Sequence, residues 1–153
     1  MDGQAFTLWA VRAAACCYAG AVALSLRRLP HARNLWTLGF LLYLAHVWGA
    51  FEYFHGWSHR AACAETARQT AAMFGVHWGG GLYFNYAFTL AWAFDCAWWW
   101  ARGGDYPGKK WLRGFLAFMF FNGTVVFGHG AVRWTGLAVA AALLALRFGK
   151  LKL

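Results

Sequence analysis

A short polar stretch between His46 and His59 interrupts an otherwise apolar chain, and it holds the residue types that could do chemistry. Glu52, His55 and His59 are separated by three and four residues. On an α-helix those spacings bring side chains back to one face, within an arc of about 60°. Imidazole and carboxylate groups together bind zinc, iron or copper, and imidazole is also an axial ligand of haem iron. The spacing therefore predicts half of a metal site on one helix face.

The elements that must position these residues are long apolar segments. The chain has 153 residues, of which 61% are hydrophobic and only 12% are charged, and this composition is typical of membrane proteins. A helix needs about 20 apolar residues to cross a bilayer. Five segments approach or exceed that length, at residues 6–26, 35–57, 78–100, 112–129 and 131–148. We expect a single transmembrane domain over residues 1–153, folded as an all-α, five-helix transmembrane bundle.

Tryptophan positions give a second measure of the spans, because the indole ring prefers the membrane interface. Trp36 and Trp57 bracket one segment, and Trp78 and Trp99 bracket another. Each pair is 21 residues apart in the sequence, which corresponds to about 31 Å of helix and matches a hydrocarbon core of about 30 Å. The tryptophan spacing therefore predicts the same spans as the apolar segments.

The basic residues predict the orientation, since Lys and Arg are enriched on the cytoplasmic side of a membrane. With five spans, ten basic residues fall on one side and three on the other. The ten are Arg27, Arg28, Arg33, Arg102, Lys109, Lys110, Arg113, Arg147, Lys150 and Lys152, and the three are Arg60, Arg68 and Arg133. This predicts an outside N-terminus and a cytoplasmic C-terminus, in a membrane such as the bacterial inner membrane. The net charge of +9 then reflects topology and attraction to lipid head groups, and nucleic acid is not an expected partner.

An additional helix is predicted between the second and third spans. Residues 60–74 have high helix propensity, with a polar face at Glu65, Arg68 and Gln69, and Gly75 can end the helix. We expect this helix on the outer face, either along the interface or as a continuation of the second span.

The histidines cluster at one side of the predicted membrane. His46, His55, His59, His77 and His129 map to the outer half or the outer surface. His77 precedes the third span and His129 follows the fourth, so three spans each bring a candidate ligand to a similar depth. We predict a metal site formed by Glu52, His55 and His59 and completed by His77 and His129.

Charged residues within spans are costly unless they are paired. Arg12 and Glu52 both lie in the outer third of their spans, so we expect them to form an ion pair, which competes with metal binding by Glu52. Asp95, near the inner end of the third span, can reach Arg113. His46 lies on a different face of the second span and could bind haem as a single axial ligand.

Four cysteines are too few and too scattered for a disulfide framework, and Cys63, which lies between spans, is the candidate reactive thiol. The chain has no Walker loop, no Gly-x-Ser-x-Gly sequence and no His-Glu-x-x-His sequence. The sequence therefore gives no indication of a P-loop nucleotide-binding protein, a serine hydrolase of this type or a His-Glu-x-x-His metalloprotease.

Three functional hypotheses follow from these features. The first is a small redox or cofactor-holding membrane subunit that binds zinc, iron, copper or haem through the outer histidine cluster. The second is a cofactor-free structural subunit of a larger membrane complex or a homo-oligomer. The third is a membrane-embedded, metal-dependent enzyme that acts on lipid.

Overall fold

The computed structural model describes residues 2–149, and every regular element in that range is helical. The α-helices are α1 (Gly3–Leu26), α2 (Ala32–Ala50), α3 (His59–Phe74), α4 (Gly81–Arg102), α5 (Lys109–Phe121) and α6 (Ala131–Phe148). Two π-turns continue α2 and α5, at Phe51–His55 and Asn122–Val126. The predicted all-α class is confirmed, whereas Lys150 and Lys152, two of the predicted cytoplasmic charges, lie outside the described residues.

Helices α1 and α6 are long and apolar enough to cross a membrane by length and composition. Helices α2 and α4 contain Trp, Tyr and charged side chains, which lower their mean hydropathy, and α5 has only 13 residues before its π-turn. Within the described part of the chain, the structure therefore gives two candidate membrane helices and does not establish the five predicted spans.

The extra helix predicted at residues 60–74 is present as α3. Its capping follows the local sequence: the Ser58 hydroxyl accepts a hydrogen bond from the Ala61 N–H, and Gly75 ends the helix with a φ of 71°. The Gly75 N–H donates to the Ala71 carbonyl, which satisfies one of the free carbonyls at the helix end.

Helices α1 and α2 are antiparallel and pack closely, because small residues line their contact. A Cβ added to Gly39 would lie 3.1 Å from the Cys17 Cβ, and one added to Gly49 would meet the Thr7 hydroxyl. Side chains of this size let two backbones approach. Small residues of α1 and α2 thus form the contact between these two helices.

Aromatic side chains form the core between α1, α2, α4 and α5. The Trp36 and Trp92 rings are both almost fully buried, with ring centroids 5.3 Å apart. The Tyr18 ring stacks on the Phe120 ring at 4.4 Å. Because the contacting rings come from four different helices, this core fixes the helices around which the candidate site is built.

Candidate functional site

The predicted half-site does not form, because Glu52, His55 and His59 do not share one α-helix. Helix α2 passes into a π-turn that ends at His55, and Gly56 and Trp57 follow with positive φ angles of 53° and 57°. Helix α3 then begins at His59. The two histidines lie on either side of a helix break, so their spacing of four no longer places them on one face, and the predicted one-face arrangement is wrong.

The predicted ion pair between Arg12 and Glu52 is also wrong. The Glu52 carboxylate accepts a hydrogen bond from the Trp57 indole N–H at 2.7 Å. The Arg12 guanidinium lies over the Trp9 ring, 4.9 Å from its centroid. The ion pairs among residues 2–149 do not include either residue. Each of these charged groups therefore contacts a tryptophan side chain and not the opposite charge.

The predicted five-residue metal set is not assembled. His77 lies in the connection between α3 and α4, His129 lies in the connection before α6, and both are exposed. The His55 ring instead packs against the Phe51 ring, with centroids 5.8 Å apart. Across residues 2–149, no three His, Cys, Asp or Glu side chains are grouped so that they could hold a metal ion. Any metal site in this region needs a donor of another type.

His46 is held by the backbone of α1. Its Nδ1 atom lies 3.0 Å from the Thr7 carbonyl oxygen, and because a carbonyl can only accept, Nδ1 carries the proton. The ring is half-buried beside Tyr43, with centroids 6.3 Å apart. This contact leaves Nε2 as the nitrogen with a free lone pair, and haem ligation by His46 stays a prediction.

His59 lies in a group of nitrogen, sulfur and oxygen donors between α3 and α4. Its Nδ1 atom is 3.0 Å from the Tyr86 hydroxyl, and its Nε2 atom is 3.4 Å from the Cys63 sulfur and 3.5 Å from the Tyr83 hydroxyl. We call these four residues the His59 cluster. Both ring nitrogens are therefore in polar contact, and one of them faces two potential metal ligands.

Local sequence positions every member of the His59 cluster. His59 and Cys63 are four residues apart on α3, and Tyr83 and Tyr86 are three apart on α4, so each pair shares a helix face. Gly79 lets the connection between the helices pass α3 closely, since a Cβ there would lie 2.6 Å from the Cys63 carbonyl oxygen. The glycine run before α4 is thus a packing device that brings the two pairs together.

Two distances around the His59 Nε2 atom are compatible with those between ligands of a tetrahedral metal ion. Zinc–nitrogen bonds of about 2.0–2.1 Å and zinc–sulfur bonds of about 2.3 Å place two ligand atoms roughly 3.5 Å apart at a tetrahedral angle. Nε2 lies 3.4 Å from the Cys63 sulfur and 3.5 Å from the Tyr83 oxygen. The contact of Nδ1 with Tyr86 orients the ring, as the outer hydrogen bond of a metal-bound histidine does.

The cluster is open to its surroundings. His59 is exposed, Cys63 is half-buried, and Tyr83 is 60% exposed. An ion or a small ligand can therefore reach Nε2 without a rearrangement of the helices. The same geometry allows the Cys63 thiol to donate a hydrogen bond to Nε2.

Glu65 lies two residues beyond Cys63, but its carboxylate is already engaged. It accepts hydrogen bonds from Arg68 at 2.8 and 2.9 Å and from Gln69 at 2.9 Å. The Arg68 hydrogen bond is the main cause of a lowered Glu65 pKa. The predicted polar face of α3 is present, and it is separate from the His59 cluster.

A second polar group joins α4 to α5 at the opposite end of α4. Arg113 and Asp95 form the predicted ion pair at 3.1 Å, and the Tyr106 hydroxyl donates to the same carboxylate at 2.5 Å. The guanidinium also lies over the Trp99 and Trp36 rings, at 4.6 and 5.3 Å. With its carboxylate fully buried and bonded from two sides, this group is a structural link between helices.

Sequence reasoning missed Tyr83 and Tyr86 and treated Cys63 only as a reactive thiol. The available signals were the His–Cys spacing of four and the Tyr–Tyr spacing of three, each of which predicts a shared helix face. Neither spacing indicates that the two faces meet. Comparisons with protein-family models, with curated proteins and with solved structures found no match to this chain.

Proposed function

We propose that this chain is an integral membrane protein that binds a transition metal at the His59 cluster and acts as a small redox or cofactor-holding subunit. The observation that carries the proposal is the convergence of nitrogen, sulfur and oxygen donors around one imidazole. The cluster retains one member of the predicted outer histidine set, His59, and replaces the others with Cys63 and Tyr83.

The lengths of the helices support five membrane spans. Helix α2 and its π-turn together run for 24 residues from Ala32 to His55, and α4 has 22 residues, or about 33 Å. Large apolar side chains face outward, including Trp111, Leu90 and Trp134 at 86%, 71% and 71% exposure. Such a surface suits lipid contact. The charge distribution then favours an outside N-terminus, with the His59 cluster on the outer face of a membrane such as the bacterial inner membrane.

The donor set favours zinc or copper. Thiolate and imidazole are the preferred protein ligands of both metals, whereas magnesium and calcium take oxygen ligands. Three protein donors leave a fourth tetrahedral position for water, a substrate or a residue of another subunit. A bound copper ion would make the site a redox centre, and a bound zinc ion would make it a Lewis acid.

The test is titration of the purified protein with Co²⁺, a spectroscopically visible substitute for zinc, and with Cu²⁺. We expect one equivalent to bind, with an absorption band from charge transfer between thiolate and metal. Cys63→Ser should abolish the band and His59→Ala should abolish tight binding. Cys16→Ser and His77→Ala are matched controls, because Cys16 lies on α1 and His77 lies outside the cluster, and both should leave binding unchanged.

Two results would refute metal binding at this cluster. One is a protein that takes up neither metal, and the other is uptake that survives both cluster substitutions. The first result would favour the structural-subunit hypothesis, for which the exposed aromatic surface is the supporting observation.

A further inference from the structure

A groove lies where α1 ends and α2 begins, far from the His59 cluster. It is shallow and widely open, with a volume of about 470 Å³. Its lining surface is almost wholly apolar: Ala23, Leu24, Leu29, Leu35 and Leu146 form it, and Arg27 contributes its apolar stem at the edge. Clefts that bind small molecules have volumes of about 300–1,000 Å³. The groove is therefore large enough for a ligand, and its lining favours one that is mainly hydrocarbon.

The end of α1 builds one wall of this groove. Arg28 adopts a left-handed conformation with a φ of 55°, and the Leu29 N–H donates to the Leu24 carbonyl at 2.9 Å. The Arg28 N–H donates to the Ser25 carbonyl at 3.1 Å, which completes the hydrogen-bond pattern of a Schellman motif. In such a motif the residue at the Leu29 position usually packs on the helix. Leu29 is nevertheless 52% exposed, so its side chain is available to a ligand.

Helix α6 closes only part of the opposite side. Near its start it is tied to the second π-turn, because a Cβ on Gly136 would lie 2.9 Å from the Thr124 hydroxyl oxygen. Toward its end, Leu146 lines the groove while Leu144 is 56% exposed. Apolar side chains of both α1 and α6 therefore border the groove.

The positive charge beside the groove has no partner among the described residues. The carboxylates at this end of the helices are Asp95 and Asp105, and they are engaged by Arg113 and Lys109. Arg27, Arg28 and Arg147 take part in none of the ion pairs that residues 2–149 form. Two neighbouring cations, Arg33 and Arg102, lie over tryptophan rings at 3.8 and 5.1 Å. These exposed arginines are therefore able to bind an anion from outside the described chain.

We infer that the groove binds a phospholipid with an anionic head group, whose acyl chain lies against the leucines and whose phosphate lies beside Arg27 and Arg28. The inference rests on the membrane placement in the proposed function and is independent of the metal site. Each basic side chain near an anionic lipid surface strengthens its attraction, and an apolar wall adds burial of the chain. Arginine also pairs well with phosphate.

Charge argues against a second copy of the chain in the groove. A symmetric dimer at this surface would bring the Arg27, Arg28 and Arg147 side chains of one copy close to those of the other. Among the described residues the exposed carboxylate at this end is Asp105, which is paired with Lys109 at 3.4 Å, so the arginines of the two copies would outnumber it and repel. The phosphate of an anionic lipid would instead attract these arginines.

The experiment measures lipid retention by the purified full chain. Detergent micelles are doped with equal amounts of phosphatidylglycerol and phosphatidylcholine that carry identical acyl chains, and native mass spectrometry counts the bound lipids. We expect retention of phosphatidylglycerol to exceed that of phosphatidylcholine by about tenfold or more, since two arginines contribute. Arg27→Gln/Arg28→Gln should reduce the preference to about twofold or less. Ala23→Phe should lower retention of both lipids by filling the groove.

Matched controls separate the groove from general membrane contact. Cys16→Phe adds an aromatic ring at an exposed position of the same helix, and Arg102→Gln removes a cation that lies over Trp98. Both should retain lipid as the unsubstituted chain does. Equal retention of the two lipids, or a preference that survives the double substitution, overturns the inference. A dimer that Ala23→Phe dissociates also overturns it and assigns the groove to a second copy.

Failure here is distinguishable from failure of the proposed function. A chain that inserts into vesicles and binds Co²⁺, yet shows no preference for anionic lipid, overturns only the lipid inference. A chain that does not insert into vesicles overturns the membrane placement on which both depend.

Discussion

Replacement of Arg113 by methionine tests whether the group around Asp95 links α4 to α5. The Asp95 side chain is only 1% exposed, and Arg113 contacts both of its oxygens, at 3.1 and 3.3 Å. Methionine keeps much of the volume of the arginine stem but removes the charge. In the variant, the buried carboxylate keeps only the hydrogen bond from Tyr106.

The expected cost follows from the burial of the pair. Loss of one partner of a buried ion pair costs about 3–5 kcal/mol, because the remaining charge is left without compensation. The guanidinium also lies 4.6 Å from the Trp99 ring centroid, and a contact of this kind contributes about 0.5–2 kcal/mol. The Arg113 side chain is 26% exposed, so water partly solvates the ion pair. The cost should therefore fall in the lower half of the range of about 3–5 kcal/mol. We expect Arg113→Met to lower the free energy of unfolding by about 3–4 kcal/mol.

Unfolding in mixed detergent micelles by titration with sodium dodecyl sulfate measures this loss. A double-mutant cycle with Asp95→Asn isolates the interaction, since the neutral amide no longer needs the cation, and the double variant should recover about 1 kcal/mol or more relative to Arg113→Met. Arg102→Met is the matched control, because Arg102 lies over a tryptophan ring and has no carboxylate partner among the described residues. A loss equal to that of the control, or a cycle with coupling below about 0.5 kcal/mol, would refute the reasoning.

Two further predictions concern close packing and pH. Gly79→Ala should weaken Co²⁺ binding and destabilise the fold by about 1–3 kcal/mol, because its Cβ would lie 2.6 Å from the Cys63 carbonyl oxygen. Gly114→Ala is the control: a Cβ there meets nothing within 4 Å, so Co²⁺ binding should be unchanged, and alanine inside α5 should not destabilise the fold. Burial and the contact with Asp95 raise the pKa of Tyr106 above its ordinary value of 10.0. The neutral phenol is thus favoured in the fold, so its stabilising effect is full below pH 10.0 and falls as pH rises through the folded-state pKa. As the pH rises above 10.0, Tyr106→Phe should lose less stability than the unsubstituted chain, as measured by the same detergent titration. The same dependence of stability on pH in both proteins would contradict the assignment to Tyr106.

Features governed by local sequence were predictable. The composition indicated helices, Gly75 marked the end of α3, and the polar face of that helix followed from the spacing of Glu65 and Arg68. The pairing of Asp95 with Arg113 was also predictable, because a buried carboxylate needs a cation and few were within reach. In each case the feature is determined by the sequence of a single helix or by the need of a buried charge for a partner.

The break after His55 was not predicted, because the helical spacing of Glu52, His55 and His59 assumes an uninterrupted α-helix. A π-turn bonds residues five apart and shifts the faces that follow it. The local sequence does carry a signal for the break: Gly56 can end a helix with positive φ, and Ser58 can cap the next one. Because residues 35–57 are predominantly apolar, the sequence favoured one uninterrupted helix over a break at this glycine.

The membership of the His59 cluster depends on how two helices pack, and helical spacing within either one does not reveal it. Cys63, Tyr83 and Tyr86 have side chains that also suit an apolar environment, so their types alone do not mark a site. The close passage at Gly79 brings the Tyr83 and Tyr86 hydroxyls to the histidine, whereas Cys63 is already beside it on α3.

The helix break and the cluster have one structural cause. If α2 continued through His59 as one α-helix, His59 would lie on the same face as Glu52, near the end of that helix. The left-handed residues after His55 instead start a new helix, α3, which packs on α4. This packing brings the phenols of Tyr83 and Tyr86 to His59, which has the Cys63 thiol beside it on α3. The backbone conformation after His55 therefore determines that His59 contacts two phenols of α4, whereas its contact with the Cys63 thiol follows from their spacing of four on α3.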